Sequence, residues 1–331
     1  MTVENGKRSF PSRRDFVALG VGVFVVAGLP LLAKSRRRLI RRTIPLMGTF
    51  GEIAVIHRDE RYAQGAMDAA FQELRRVEAL LTRFSPDSEI GRANLAAYRK
   101  PQPVSSETLR VLQESLGWAE ASDGAFDPCL ASVVALWDVG ARERPPEASA
   151  VRQLAGHGLY RSLELGRFGG SPVVLFHDED LGIDLGGIGK GYGVDRAVEV
   201  LRQWGIEDGL VNLGGDLYAL GTSADGDAWK VGVRSPDDPS GLAATLRMSD
   251  RGVATSGDYH QFFEHQGRRY HHLLDPGTGE PTQGRIRSVT VAAESCMAAD
   301  AGATTAFVAP PEGTKQALRR MEPGGEVVHT V

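Results

Sequence analysis

The residues best spaced for chemistry lie in two short segments. In DLGGIGKGYGVD, Asp184 to Asp195, five glycines and one lysine fall within twelve positions. Glycines let a ligand approach the backbone closely, and exposed amides entering a helix attract anions. In CMAADAGATTAF, Asp300 and Thr304 stand four residues apart. On a helix that spacing puts their oxygens on one face. A carboxylate beside a hydroxyl suits a hard cation such as Mg²⁺, which keeps waters and sits next to phosphates. Each segment also has a plain structural alternative. The first would be a tight strand-to-helix turn with Lys190 solvated, the second a capping or buried hydrogen-bond pair.

The glycine segment fits neither standard nucleotide template. A G-x-x-x-x-G-K-[ST] loop ending on Gly189-Lys190 needs glycine at Asp184 and a hydroxyl at Gly191. The G-x-G-x-x-G fingerprint needs glycine at Tyr192 or at Val194. Three further constellations carry polar groups in turns. DGAFDP places Asp127 before a proline, LVNLGGD sets Asn212 and Asp216 around a Gly-Gly pair, and HHLLDPGTGEP ends a strand on His271 and His272 ahead of Asp275.

These segments need elements to hold them. MGTFGEIAVIH, Met47 to His57, reads as a strand, and Met67, Phe71, Leu74, Val77 and Leu81 recur at helical spacing. The stretch SPDSEIGRAN reads as a break. A helix follows from Ser106 to Ala121, capped by Ser105 or Ser106, then a short one through Val133 and Leu136 to Trp137. The second half reads as strands at 173–176, 210–213, 217–220, 229–233, 252–256, 269–274 and 288–291. Helices are expected at 192–204, 295–308 and 314–321. Helices early and strands late indicate an α+β architecture in one domain rather than alternating βαβ units.

Charge divides the chain of 331 residues. Residues 1–42 hold ten Lys/Arg against two acids, and the remainder holds 28 against 40. An acidic body argues against nucleic-acid binding. In the leader, Arg13-Arg14 precede an uncharged run from Phe16 to Ala33, the pattern of a twin-arginine export signal. A membrane anchor of eighteen residues is the other reading, and no A-x-A cleavage site precedes the basic flank. The expected division is a leader over 1–42 and a domain over 43–331. Cys129 and Cys296 are the only cysteines; one disulfide or two buried thiols are both open.

Taken in order, MGT, LTRFSPDSEI, DGAFDP, DLGGIGKGYGVD, LVNLGGD, VATSGDY, HHLLDPGTGEP and ADAGATTAF resemble the FAD:protein FMN transferase (ApbE-like) family over nearly the whole chain after the leader. The resemblance implies a single mixed α/β domain that cleaves FAD, releases AMP and attaches FMN through a phosphoester to a threonine of a partner protein. The partner would be a membrane electron-transfer subunit carrying a Ser/Thr-Gly-Ala-Thr type segment. Met47, Phe84, Ala125, Phe126, Asp127, Asp184 and Lys190 match the family's FAD-contacting positions. Asp300, Thr304 and a loop carbonyl at Gly187 or, second, Gly189 match its Mg²⁺ ligands. His272 and Asp275 are candidates for activating the acceptor hydroxyl. FAD pyrophosphatase and exported flavin carrier are the competing readings. Two positions depart from the family: Cys129 follows FDP where threonine is common, and Gly302 stands where a larger apolar residue is usual.

Overall fold

The computed structural model describes residues 23–25, 37–238, 241–284 and 286–331. Arg13-Arg14 and most of the apolar run lie outside the described residues. No helix among the described residues is long and apolar enough to cross a membrane.

The chain begins with β1 (Val23–Val25), β2 (Arg38–Leu46) and β3 (Thr49–His57), followed by α1 (Glu60–Leu81) and α2 (Glu89–Ala96). Next come β4 (Gln102–Pro103), α3 (Ser106–Ala121), α4 (Ala131–Trp137) and α5 (Ala148–Leu154). Strands β5 (Leu163–Phe168) and β6 (Ser171–Phe176) lead to α6 (Gly189–Gln203). Then β7 (Gly209–Leu213), β8 (Asp216–Leu220), β9 (Trp229–Arg234), β10 (Leu242–Met248) and β11 (Arg251–Gly257) follow, with the hairpin β12 (Phe262–His265) and β13 (Arg268–His271). The chain closes with β14 (Ser288–Ala293), α7 (Cys296–Val308), α8 (Pro311–Met321) and β15 (Glu326–Thr330).

Seven strands form the central sheet in the order β15-β14-β11-β8-β7-β3-β2, every pair antiparallel. Both of its faces are covered, which explains why β7, β8 and β14 are buried at every position. Alternation along each strand sorts the side chains. Ile53, Val55, Val211 and Leu213 meet Phe71 and Leu74 of α1 and Val198 and Leu201 of α6. Ala54, Leu210, Leu217 and Ala219 meet Trp229, Val231 and Met248, from the sheet β1-β9-β10. The mixed α+β domain expected from sequence is therefore the observed one.

Several local expectations shift. Met47 and Gly48 are a two-residue turn, with φ of 50° and 69°, joining β2 to β3. Positive φ at both central positions is what the right-handed strand twist selects, so the strand starts at Thr49. The boundary placed at residue 43 falls inside β2, where Arg38, Arg41 and Arg42 pair with His57, Ala54 and Ile53. SPDSEIGRAN contains the start of α2, capped by Ser88, whose hydroxyl accepts the Gly91 amide at 2.8 Å. Ser105 caps α3 by accepting the Thr108 amide at 3.1 Å. Helix α6 starts three residues early, inside the glycine segment, and the strand through the histidines stops at His271.

Candidate active site

Four segments distant in sequence converge at the N-terminus of α6. The DGAFDP turn is tied to the glycine segment by the Asp184 amide, which donates to the Pro128 carbonyl at 2.8 Å. Phe126 is buried, and a Cβ added at Gly187 would lie 3.2 Å from its ring and 3.0 Å from Thr304 Oγ1. Position 187 is thus tight for any side chain, and it lies beside the Thr304 hydroxyl. One helical turn earlier, Asp300 is 3% exposed, and its Oδ2 accepts the Gly191 amide at 3.0 Å. Helix α6 has no side-chain cap of its own, so a carboxylate from α7 occupies the positive end of its dipole.

Lys190, in the first turn of α6, forms an ion pair with Asp216 at the start of β8 and lies 3.4 Å from both oxygens of Asp300. Burial alone would lower Lys190, but the Asp216 and Asp300 carboxylates outweigh it and hold the ammonium firmly charged. Asp216 is pushed up from the usual carboxylate range by burial and by the charge of Asp300, against the pull of Lys190. Two buried carboxylates sharing one ammonium leave an excess negative charge. The site therefore fits a hard cation: oxygen donors at Asp300, Thr304 and the Gly187 peptide, in a negatively charged corner. Among the described residues no three His, Cys, Asp or Glu side chains gather as metal ligands, so backbone oxygen and a substrate phosphate would complete the shell.

Three of the loop's amides are already taken within the chain. Gly186 N–H donates to Asp184 Oδ1 at 2.8 Å, Gly189 N–H to the Leu185 carbonyl at 2.7 Å, and Gly191 N–H to Asp300. The segment's positive charge toward a ligand comes from Lys190. Gly191 serves packing instead, because a Cβ there would sit 2.3 Å from the Cys296 carbonyl.

The remaining candidates fall into place unevenly. Asp184 is ion-paired with Arg83 at 2.7 Å, and the Arg83 guanidinium stacks 4.2 Å from the ring centre of Phe84, which is 78% exposed. Met47 packs against α1 and α6, its sulfur 3.8 Å from a Cβ added at Gly193. Ala125 is half-buried between Phe126 and the open end of the turn. The Asp127 carboxylate accepts the Cys129 amide at 2.9 Å and the Tyr160 amide at 3.1 Å, and burial raises its pKa to about 6.

His272 lies near enough to the charged corner to feel the Lys190 ammonium. Its pKa is pushed down to about 4, chiefly by burial, with the neighbouring His271 and the Lys190 charge acting in the same direction. Its Nδ1 lies 3.3 Å from the Gln261 carbonyl. A carbonyl only accepts, so Nδ1 carries the proton and Nε2 is left as a base. His271 turns inward, its Nε2 3.0 Å from the Thr282 carbonyl and its ring edge-on to Phe307 of α7. Asp275 is not brought into the cluster by any bond. Its Oδ1 accepts the Gly277 amide at 2.9 Å in a turn, and it lines a cleft of about 620 Å³ with Thr278, Pro281, Thr282 and Gln283.

Asp216 and Arg83 are the site residues not selected from sequence, although LVNLGGD and LTRFSPD flagged their segments. Gly302 has a packing reason: a Cβ there would meet Val291 at 3.1 Å and Leu318 at 3.3 Å. Cys129 and Cys296 are both buried free thiols.

The ApbE family matches residues 47–328. A curated FAD:protein FMN transferase of Vibrio cholerae is 33% identical over 290 residues, covering 86% of this chain and 86% of that protein. One of Klebsiella pneumoniae is 31% identical over 277 residues, covering 82% and 79%. Among solved structures, the flavin transferase ApbE from Vibrio cholerae superposes with a TM-score of 0.75 at 30% identity, over 88% of this chain and 93% of that one. An ApbE protein from Thermotoga maritima gives 0.76 at 27% identity, over 88% and 96%.

Proposed function

This chain belongs to the ApbE family and is a flavin transferase that uses FAD and a protein acceptor, and we propose that the acceptor group is a threonine hydroxyl and that Mg²⁺ serves at the pyrophosphate. The observation that carries this reading is the corner where Asp300, Thr304 and the Gly187 peptide meet beside the Lys190 ammonium. Asp300, Thr304 and the Gly187 carbonyl would hold Mg²⁺. When bound, that ion neutralises charge on the two phosphates.

The chain's own residues supply the rest. Lys190 faces the charge that develops on the leaving AMP. Phe126, the Arg83–Phe84 stack and Met47 are assigned to the flavin side. Nε2 of His272 takes the proton from the threonine hydroxyl as its oxygen bonds to the phosphorus on the FMN side. The pyrophosphate bond to AMP breaks in the same displacement. The cleft that Asp275 lines, three residues on from that histidine, is assigned to an extended acceptor segment of the Ser/Thr-Gly-Ala-Thr type. The twin-arginine leader is the basis for proposing an exported, periplasmic-side enzyme, soluble or held at the membrane, acting on electron-transfer subunits there. Changing Arg13-Arg14 to lysines and fractionating the cells tests that placement.

The central test is incubation of the full chain with FAD, Mg²⁺ and a threonine-bearing acceptor protein, followed by the acceptor's intact mass. A gain of one FMN with release of AMP is expected. Free FMN with an unmodified acceptor would make water the acceptor and the protein a pyrophosphatase.

A further inference from the structure

Asp216 has no part in the ligand sets considered so far, yet it is among the most enclosed charges in the molecule. It opens β8 directly after the Gly214-Gly215 turn, whose residues have φ of 64° and 106°. Asn212 Oδ1 accepts the Gly215 amide at 3.0 Å and fixes that turn. The Asp216 side chain, 5% exposed, ends on the Lys190 ammonium, which also stands 3.4 Å from both oxygens of Asp300. The lysine's backbone cannot retreat, because the next amide, of Gly191, is held by Asp300 and the next Cα is wedged against Cys296. Only the ammonium can swing, toward one carboxylate or the other.

That geometry creates a competition. A divalent cation on Asp300 and an ammonium on the same carboxylate repel each other strongly at such separations in a buried site. We propose that Asp216 is a positioning residue that holds the Lys190 ammonium off Asp300, so that the carboxylate is available to the cation while the lysine stays beside the phosphates. The inference rests on reading Asp300 and Thr304 as the cation site.

The test uses Mn²⁺, a hard divalent probe whose free-ion EPR signal is lost on binding, with the full chain and no turnover. Asp216→Asn should weaken Mn²⁺ binding by about tenfold or more, because the ammonium then has Asp300 alone. Lys190→Gln combined with Asp216→Asn should restore the affinity to at least the wild-type value. Unchanged binding in Asp216→Asn overturns the inference. So does a loss that persists in the double variant, which is what a merely structural role would give. If Asp216→Asn fails to fold by circular dichroism, Lys190→Gln alone decides: binding as tight as wild type or tighter is expected, and weaker binding overturns it. Wild-type protein that binds no more Mn²⁺ than Asp300→Ala would instead remove the cation site itself, and the inference with it.

Discussion

Asp300 does two jobs that are separable by substitution. It anchors the first turn of α6 through the Gly191 amide, and it offers a carboxylate to the charged corner. Asp300→Asn keeps an oxygen for the amide and discards the charge. Transfer is therefore expected to fall at least a hundredfold with the thermal melt little changed, measured as FMN incorporated into the acceptor. His272 makes a second prediction. With its pKa held near 4 by burial, it is already a neutral base throughout the physiological range. The pH–rate profile of transfer should stay level down to about pH 5, and fall only as pH approaches 4, where a histidine of ordinary pKa would lose half its base near 6.5. His272→Gln should cost on the order of 10²–10⁴ in rate and remove that acid limb. At this scale the sequence singled out Asp300, Thr304 and Lys190, and the fold sets Lys190 3.4 Å from Asp300, one helical turn from Thr304. It marked Asp127 for the flavin without showing that its carboxylate accepts two backbone amides, because an aspartate in a turn looks the same whether it faces a ligand or a peptide N–H. Asp216 was hidden for the opposite reason: its partner, Lys190, lies 26 residues away, and spacing alone does not reveal such a pair.

Elements set the distances between those residues, and here glycines matter through contact rather than conformation. An alanine in a helix is ordinarily favoured over glycine by about 1 kcal/mol. At Gly191 the sign should reverse, since a Cβ would stand 2.3 Å from the Cys296 carbonyl, a backbone atom with nowhere to go. Gly191→Ala is expected to destabilise by about 3 kcal/mol, seen as a lower Tm, whereas Gly140, which meets nothing within 4 Å and has no positive φ, should show no such loss. Asp195 works at the same junction, accepting the Cys296 and Met297 amides at 2.7 and 2.8 Å to start α7. Asp195→Ala should cost roughly 1–2 kcal/mol by chemical denaturation. Helices with one apolar stripe, such as α1, were legible from periodicity. Helix α7 is buried on nearly every side and was legible only as a run of small residues. Helix α2 was missed because Ser-Pro-Asp-Ser reads as a turn, and its Ser88 cap is recognisable only once the following residues are known to be helical. The edge strands β2 and β15 were missed as well: half their positions face water, which blurs the alternation that marks a strand.

Across the whole molecule, an acidic body closes around one charged corner and leaves its thiols inside. Burial pushes both Cys129 and Cys296 well above the usual thiol range, so neither should react with a thiol reagent in the native protein and both should react after denaturation. His272 also shapes stability. Because the folded-state pKa of His272 is below the ordinary value of 6.5, the folded state binds fewer protons than the unfolded chain between about pH 6.5 and 4. Its contribution to stability therefore diminishes as pH falls through that window. Asp127 and Asp195, both raised to about 6 by burial, act in the opposite sense between about 6 and 3.8. Denaturation curves of His272→Gln taken across this range should isolate the histidine's share of the slope.

The junction of α6, α7 and β11 has one more implication. Cβ atoms added at Gly191 and Gly252 would both collide with the main chain at Cys296, at 2.3 and 2.5 Å, so three backbones touch there with no side chain between them. Lys190 and Asp300 are each within one helical turn of that contact. Their separation is thus gauged by peptide groups, which do not vary with mutation, and not by the fit of exchangeable apolar side chains. The surrounding core can drift in composition, or be redesigned, and change how stable the protein is while the spacing on which its chemistry depends stays calibrated.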